Sequence, residues 1–275
     1  MTIITITQKI YTFAAKFKPN LITRMKPKLY FPCLLLLIQL VACKKENTST
    51  NPDLKTVTAK ENLVAWYKFT NGNTADYSDS NNHLTAYNAT PTTDYKGRPN
   101  NAYAFNGFNS YMQATNSNSL SPSKITLAAL IKPEGYYTGS GSASRILMKG
   151  ADDQSNGVYF LGFYNTGSFY GTYGDNQHQS NGVITADNSL QLNTWYKLIY
   201  TYDGSIGKLY INGTLVNQTN STAAFTPNSD FLRVGVTGRS DYPYWFNGVI
   251  DEIRIYNIDL TQDQVVDVAI ELGED

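Results

Sequence analysis

From about residue 62 onward the chain repeats one pattern: a short run dense in β-branched and aromatic residues, then a cluster of Gly, Asn, Asp, Ser or Pro. Runs of this kind, bounded by turn formers, read as strands. Leu63-Val-Ala-Trp-Tyr-Lys-Phe69 opens the series, and segments 102–105 and 111–114 follow. Ile125-Thr-Leu-Ala-Ala-Leu-Ile131 is nearly all apolar, as expected of a strand covered on both faces. Segments 158–164 and 168–173 flank Asn165-Thr-Gly167 as a hairpin. In 195–202 the alternation puts Trp195, Lys197, Ile199 and Thr201 on one face and Tyr196, Leu198, Tyr200 and Tyr202 on the other. Lys208-Leu-Tyr-Ile-Asn212-Gly213-Thr-Leu-Val carries Asn-Gly between two β runs, which favours a type I′ turn because both central residues need positive φ. Segments 231–235 and 249–256 complete the set.

One helix comes last. Thr261 and Gln264 fit a capping box, and Val265, Val268, Ala269 and Leu272 form an apolar stripe at helical spacing. Many strands with one terminal helix predict an all-β fold: a sandwich or jelly roll of two packed antiparallel sheets with a short C-terminal helix.

The charge total hides a division. The chain has 22 Lys+Arg against 22 Asp+Glu, a formal net charge of +0. Residues 1–42 carry six of the basic residues and no acid, so the chain from Cys43 onward is at −6. That balance argues against a nucleic-acid partner, which would need a basic surface. A basic block before the apolar run 29–42 is a targeting pattern. The run is too short and interrupted to span a membrane as a helix. It ends in Leu40-Val-Ala-Cys43, which resembles a bacterial lipobox, and that resemblance implies lipidation of Cys43 and a membrane anchor. Residues 1–42 then form a leader and signal, with Met25 a candidate true start. Residues 43–61 read as a polar tether, about 25 Å end to end on random-coil scaling. The expected location is the cell envelope, at the outer membrane or cell surface. Residues 62–258 are the expected jelly roll and 259–275 the helix and tail. The only other cysteine, Cys33, lies in the leader, so the exported domain has no thiol left for a disulfide.

Five elements in order carry a family resemblance: Trp66-Tyr-Lys-Phe69 with Asn71-Gly-Asn-Thr-Ala-Asp76, Ala102-Tyr-Ala-Phe105-Asn106-Gly107, Ile125-Thr-Leu-Ala-Ala-Leu-Ile-Lys-Pro133, Tyr202-Asp-Gly204 with Leu209-Tyr-Ile-Asn-Gly213, and Phe246-Asn-Gly-Val-Ile-Asp-Glu-Ile-Arg-Ile-Tyr256. Together they resemble a laminin-G-like, concanavalin-A-like jelly-roll domain, with Leu130 where that pattern usually has Trp. The fold hosts lectins, adhesins and glycanases, so the resemblance implies architecture more than activity. It also implies a structural calcium, with Asp76, Asn106 and Asp251 at the matching positions. Asp251 lies in the nearly apolar run 249–253, where a buried carboxylate needs a metal or an Arg.

Catalytic chemistry has little support in the sequence. The glucanases of this fold carry Glu-x-Asp-x-Glu on one strand, since alternate residues share a face and two carboxylates must flank one sugar. That pattern is absent. Asp251 and Glu252 are adjacent and are expected on opposite faces; Asp152 and Asp153 are adjacent in a loop. His83 and His178 read as loop residues, and no other catalytic motif is found. Two loops offer aromatics beside polar groups: Tyr136-Tyr137, and Asp241-Tyr242-Pro-Tyr244-Trp245. With Asp175 and His178 they are the expected ligand-binding residues, Trp245 reading as either core or surface. The expected function is a lipid-anchored, non-catalytic envelope module that binds carbohydrate or an extracellular protein. The alternative is a glycoside hydrolase or an accessory subunit of a glycan-degrading system.

Overall fold

The computed structural model describes residues 57–150, 158–174, 182–221 and 225–274. The leader, Cys43, and the loop residues Asp152, Asp153, Asp175 and His178 fall outside them. Fifteen strands form two antiparallel sheets, as the sequence pattern predicts. The larger sheet runs β13 (Thr214–Asn220), β12 (Ile206–Ile211), β11 (Tyr196–Tyr202), β6 (Ile125–Gly135), β15 (Asn247–Tyr256), β4 (Ala102–Asn106), β3 (Thr90–Thr92), with β1 (Leu63–Tyr67) also on β15. The smaller runs β10 (Val183–Ile184), β9 (Phe169–Gly174), β8 (Val158–Tyr164), β7 (Ala143–Lys149), β14 (Leu232–Val234), β5 (Tyr111–Ala114), β2 (Thr85–Tyr87).

The core between the sheets takes the inward residue of each alternation. From β11 these are Leu198, Tyr200 and Tyr202, the face assigned to them by spacing. Ile199 faces the other way, into a second apolar layer closed by α1 (Gln262–Glu271). That layer holds Val265, Val268, Ala269 and Leu272 from the helix side and Leu130 from β6. The capping box is formed: the Gln264 amide donates to Thr261 Oγ1 at 3.4 Å, and the Thr261 amide donates to Gln264 Oε1 at 3.0 Å. The β12–β13 turn has φ of 52° at Asn212 and 81° at Gly213, the type I′ geometry that Asn-Gly favours.

Strands β2, β3, β7 and β10 were not evident from the sequence. The first, second and fourth have only two or three residues. β7, Ala-Ser-Arg-Ile-Leu-Met-Lys, is fully buried although it contains Arg145 and Lys149. Arg145 lies over the rings of Phe160, Tyr244 and Tyr170 at 4.1, 4.7 and 5.1 Å, and Lys149 Nζ donates to Asn228 Oδ1 at 2.7 Å.

One expectation about side-chain direction is overturned. The pairing of β15 with β6 shifts between Ile250 and Glu252, so Asp251 is the extra residue of a β-bulge. A bulge interrupts the strict alternation of a strand. Asp251 and Glu252 therefore both face the α1 side, where each comes close to Gly273: the Gly273 amide donates to Glu252 Oε2 at 2.9 Å, and Asp251 Oδ2 is 3.6 Å from where a Gly273 Cβ would lie. Glu252 Oε1 accepts from Trp66 Nε1 at 2.7 Å and Arg254 Nε at 2.6 Å, and Arg254 Nη1 donates to Glu271 of α1. Glu252 and Arg254 are both almost fully buried. Removing one member of a buried pair strands the other charge, at a cost of about 3–5 kcal/mol. Glu252→Ala is therefore expected to lower the urea unfolding free energy by about 3 kcal/mol or more, and Thr261→Ala, which removes only a cap, by about 1 kcal/mol. Equal losses for the two variants would show that the buried charge network does not hold the fold.

Candidate ligand-binding site

The outward faces of the smaller sheet's strands carry rows of side chains set by register. Thr85 lies opposite Gln113, Gln113 opposite Arg233, and Arg233 opposite Met148. The neighbouring row pairs Tyr87 with Tyr111, whose rings stack at 4.6 Å and 10°. Trp245, arriving from the β14–β15 connection, meets Tyr111 at 6.1 Å. Between Trp245, Tyr111 and Gln113 on one side and the 236–243 loop on the other lies a groove of about 450 Å³, with Arg233 in its lining. Trp245 is half-buried here and belongs to the groove wall, which settles its two readings.

The rest of the 239–245 loop is held from within. Thr237 Oγ1 donates to the Tyr242 carbonyl at 2.8 Å, and the Thr237 amide to that of Pro243 at 2.9 Å. Tyr244 sits at φ 46°, where non-glycine residues are uncommon, and its carbonyl accepts from the Arg145 amide at 2.8 Å. Arg239 Nε donates to Asp241 Oδ1 at 2.9 Å, and its guanidinium lies 4.6 Å from the Tyr242 ring. Asp241 is thereby kept below the usual carboxylate range, chiefly by hydrogen bonding to Arg239.

The expected ligand residues separate into groups. Tyr242 and Tyr244 meet at 6.0 Å, and Tyr137 joins Tyr244 edge-on at 6.2 Å. Tyr136 turns away and packs edge-on against Phe163 of the core at 6.2 Å. The groove residues missed by sequence reading include Tyr111, Gln113 and Arg233, with Tyr87 stacked behind Tyr111. Their signal was the outward phase of β2, β5 and β14, visible only once the inward phase of each strand was known.

The three residues expected at calcium do not converge. Asp76 accepts from the amides of Trp66, Ser78 and Asn82 and from Ser78 Oγ, at 2.8–2.9 Å. Asn106 Oδ1 caps its own turn, accepting from the amides of Phe108 and Asn109 at 3.0 Å. Asp251 Oδ2 accepts from the Tyr95 amide at 3.0 Å. Asn106 lies opposite Asn247, whereas Asp76 binds the amide of Trp66, which pairs with Arg254. Seven residues of β15 separate those points, roughly 20 Å at about 3.3 Å per residue. Calcium bonds are about 2.3–2.6 Å, so the trio does not fit one ion. Among the described residues no group of three His, Cys, Asp or Glu is placed to hold a metal.

A larger groove, about 670 Å³, lies on the other sheet beside α1. Its aromatic residues are engaged with each other and with cations: Trp195 meets Tyr95 edge-on at 5.8 Å, Lys132 lies over Trp195, and Lys197 lies over Tyr95. The groove at Trp245 is distinguished by its lining, which sets Arg233 and Gln113 beside its rings and, unlike the larger groove with Glu274, has no carboxylate among the described residues.

The sequence profile of the concanavalin A-like lectin/glucanases superfamily matches residues 105–266. The chain belongs to this superfamily. Among curated protein sequences none matches it. Among solved structures it is similar to domain 4 of AbnA, a GH43 extracellular arabinanase from Geobacillus stearothermophilus, in complex with arabinotriose: 24% identity, TM-score 0.57, over 75% of this chain and 98% of that one. It is also similar to the receptor binding domain of botulinum neurotoxin C/D mosaic serotype, at 17% identity and TM-score 0.60, over 78% of this chain and 52% of that one. The binding domain of botulinum neurotoxin DC in complex with SialylT gives 12% identity and TM-score 0.59, over 78% and 52%. The chain thus spans about half the length of the toxin domains. These likenesses confirm the fold expected of a jelly roll.

Asp251 makes the α1 side of this superfamily fold sensitive to pH. Burial pushes its carboxyl up to about 7 from the ordinary 3.8, and the nearby charges of Asp94 and Glu252 act the same way against the Tyr95 hydrogen bond. Between about pH 4 and 7 the folded chain keeps a proton that the unfolded chain has released, so Asp251 favours folding at low pH and loses that contribution as pH rises through 7. Asp251→Asn, neutral in both states, is expected to gain stability relative to the parent as pH rises from 4.5 to 8, by about 1 kcal/mol or more at the upper end. Urea titrations at those two pH values check it; a constant difference would place the Asp251 carboxyl in an ordinary aqueous setting.

Proposed function

We propose that the chain is a lipid-anchored, non-catalytic module of the cell envelope that binds carbohydrate through the groove at Trp245. The observation that carries this reading is the groove's make-up: the aromatic rings of Trp245 and Tyr111 beside the Gln113 amide and the Arg233 guanidinium. Aromatic faces cover the apolar faces of sugar rings, and amide and guanidinium groups hydrogen-bond hydroxyls. Among the described residues the lining contains no Asp or Glu. Glycoside hydrolysis needs two carboxyl groups flanking the scissile bond, so this groove is suited to hold a sugar and not to cleave it. The paired carboxylates Asp251 and Glu252 lie elsewhere, buried under the C-terminal tail. The complex of the arabinanase domain with arabinotriose supports a sugar as the ligand class. The resemblance of Leu40-Val-Ala-Cys43 to a lipobox supports anchoring at the cell envelope.

A glycan array probed with the protein tests the reading. Binding to at least one glycan is expected, and Trp245→Ala or Tyr111→Ala should weaken it about tenfold, the scale of one lost aromatic contact. Binding unaffected by both substitutions would remove the groove as the site, and an array without a positive would favour an extracellular protein as partner. The calcium expectation is checked alongside. With Asp76, Asn106 and Asp251 already engaged by protein donors, the melting temperature should be the same in EDTA and in millimolar calcium. A rise of several degrees in calcium would reinstate a metal site.

A further inference from the structure

Five arginines lie in the sandwich, at positions 98, 145, 233, 239 and 254. Arg98, Arg239 and Arg254 each hold a carboxylate, from Asp94, Asp241 and Glu252 respectively. Arg145 is enclosed by three rings. Arg233 differs from all four. It is half-exposed in the groove, its Nη1 donates to the Gly150 carbonyl at a long 3.4 Å, and its guanidinium lies 5.3 Å from the Phe231 ring. Among the described residues no carboxylate forms a salt bridge with it. Burial pushes its guanidinium below the ordinary arginine range, and the field of Asp230 only works against that. A partly desolvated cation without a bonded counter-charge is costly, and an anion delivered by a ligand would offset that cost.

We propose that the groove takes an acidic saccharide, a sugar chain bearing carboxylate or sulfate groups, with Arg233 as its anion contact. This rests on the carbohydrate reading above and narrows it. Register gives the arrangement: Gln113 lies directly across from Arg233, and Tyr111, two residues earlier on the same strand and outward face, stands beside Trp245. A sugar ring against Trp245 and Tyr111 would set a ring substituent over Arg233, whose planar fork suits a carboxylate or sulfate oxygen pair. The chain from Cys43 onward is at −6, so its overall field repels acidic glycans and any preference for one has to be local.

The test compares three oligosaccharides of equal length in calorimetric titrations of the protein: neutral, uronic-acid-containing and sulfated. The acidic sugars, or one of them, should bind at least tenfold tighter than the neutral one, the scale of a charge-assisted hydrogen bond. Arg233→Gln should abolish that preference, lowering affinity for the acidic sugars about tenfold more than for the neutral one, and Arg233→Lys should retain part of it. Melting temperatures near that of the parent would show the variants folded. Equal affinity for acidic and neutral sugars, or a preference that survives Arg233→Gln, would overturn the proposal while leaving the aromatic groove as a neutral-sugar site. Failure of all three to bind would overturn both.

Discussion

Arg254 and Glu252 sit side by side on the outward face of the central strand, and four separate parts of the chain close on them. Trp66 of β1 donates its indole N–H to Glu252 and lies 4.8 Å from the Arg254 guanidinium. Glu271 of α1 takes the far end of Arg254 and, with its other oxygen, the amide and hydroxyl of Thr58 near the start of the domain. The tail adds the Gly273 amide. Every lone pair used is matched by a donor, the condition under which a buried ion pair is tolerated. The arrangement also requires Gly273: its φ is +81°, and a Cβ there would come within 2.5 Å of Leu130 Cδ2. The network closes one face of the sandwich with helix and tail.

The bulge at Asp251 makes that closure possible and carries a cost. By adding a residue between Ile250 and Glu252, it lets Ile250 and Ile253 both fill the inter-sheet core while two successive carboxylates go to the other layer. Glu252 finds three donors there and Asp251 only the Tyr95 amide. The asymmetry explains why burial leaves Asp251 reluctant to ionise. It lies near Asp94, whose charge is favoured, despite burial, by the amide and guanidinium of Arg98. Two neighbouring carboxyls, one rich in donors and one poor, thus divide the work of staying charged and staying neutral.

How much of this was legible in the sequence follows from the range of each signal. The Asn212-Gly213 turn and the Thr261–Gln264 capping box are local, and both formed as written. The two faces of β11 followed from alternation alone. Alternation failed at Asp251, because a bulge is set by pairing with β6 and leaves no mark in β15 itself. β7 escaped notice because Arg145 and Lys149 look like surface residues, and their partners, three rings and Asn228, come from distant segments. The aromatic loop 241–245 was visible in the sequence, whereas Tyr111, Gln113 and Arg233 are brought beside it only by strand order. The calcium trio was legible only by resemblance, and strand pairing sets Asn106 and the Trp66 amide that Asp76 holds at opposite ends of β15.

The placement of the groove follows from how the two sheets use their outward faces. The larger sheet's face is covered at its centre by α1 and the tail, and its buried charges are matched internally. Among the described residues, Tyr87, Tyr111, Gln113 and Arg233 stand at least partly exposed on the smaller sheet's face at β2, β5 and β14. The connection from β14 to β15 crosses from the smaller sheet to the larger, so the loop that makes the crossing also delivers Trp245. Its anchors are Thr237, within the loop itself, on the Tyr242 and Pro243 carbonyls, and Arg145 of β7 on that of Tyr244. The loop that forms the groove wall is therefore tied to β7, the neighbour of the β14 strand that carries Arg233, and hydrogen bonds that hold a loop in advance lower the ordering cost of binding.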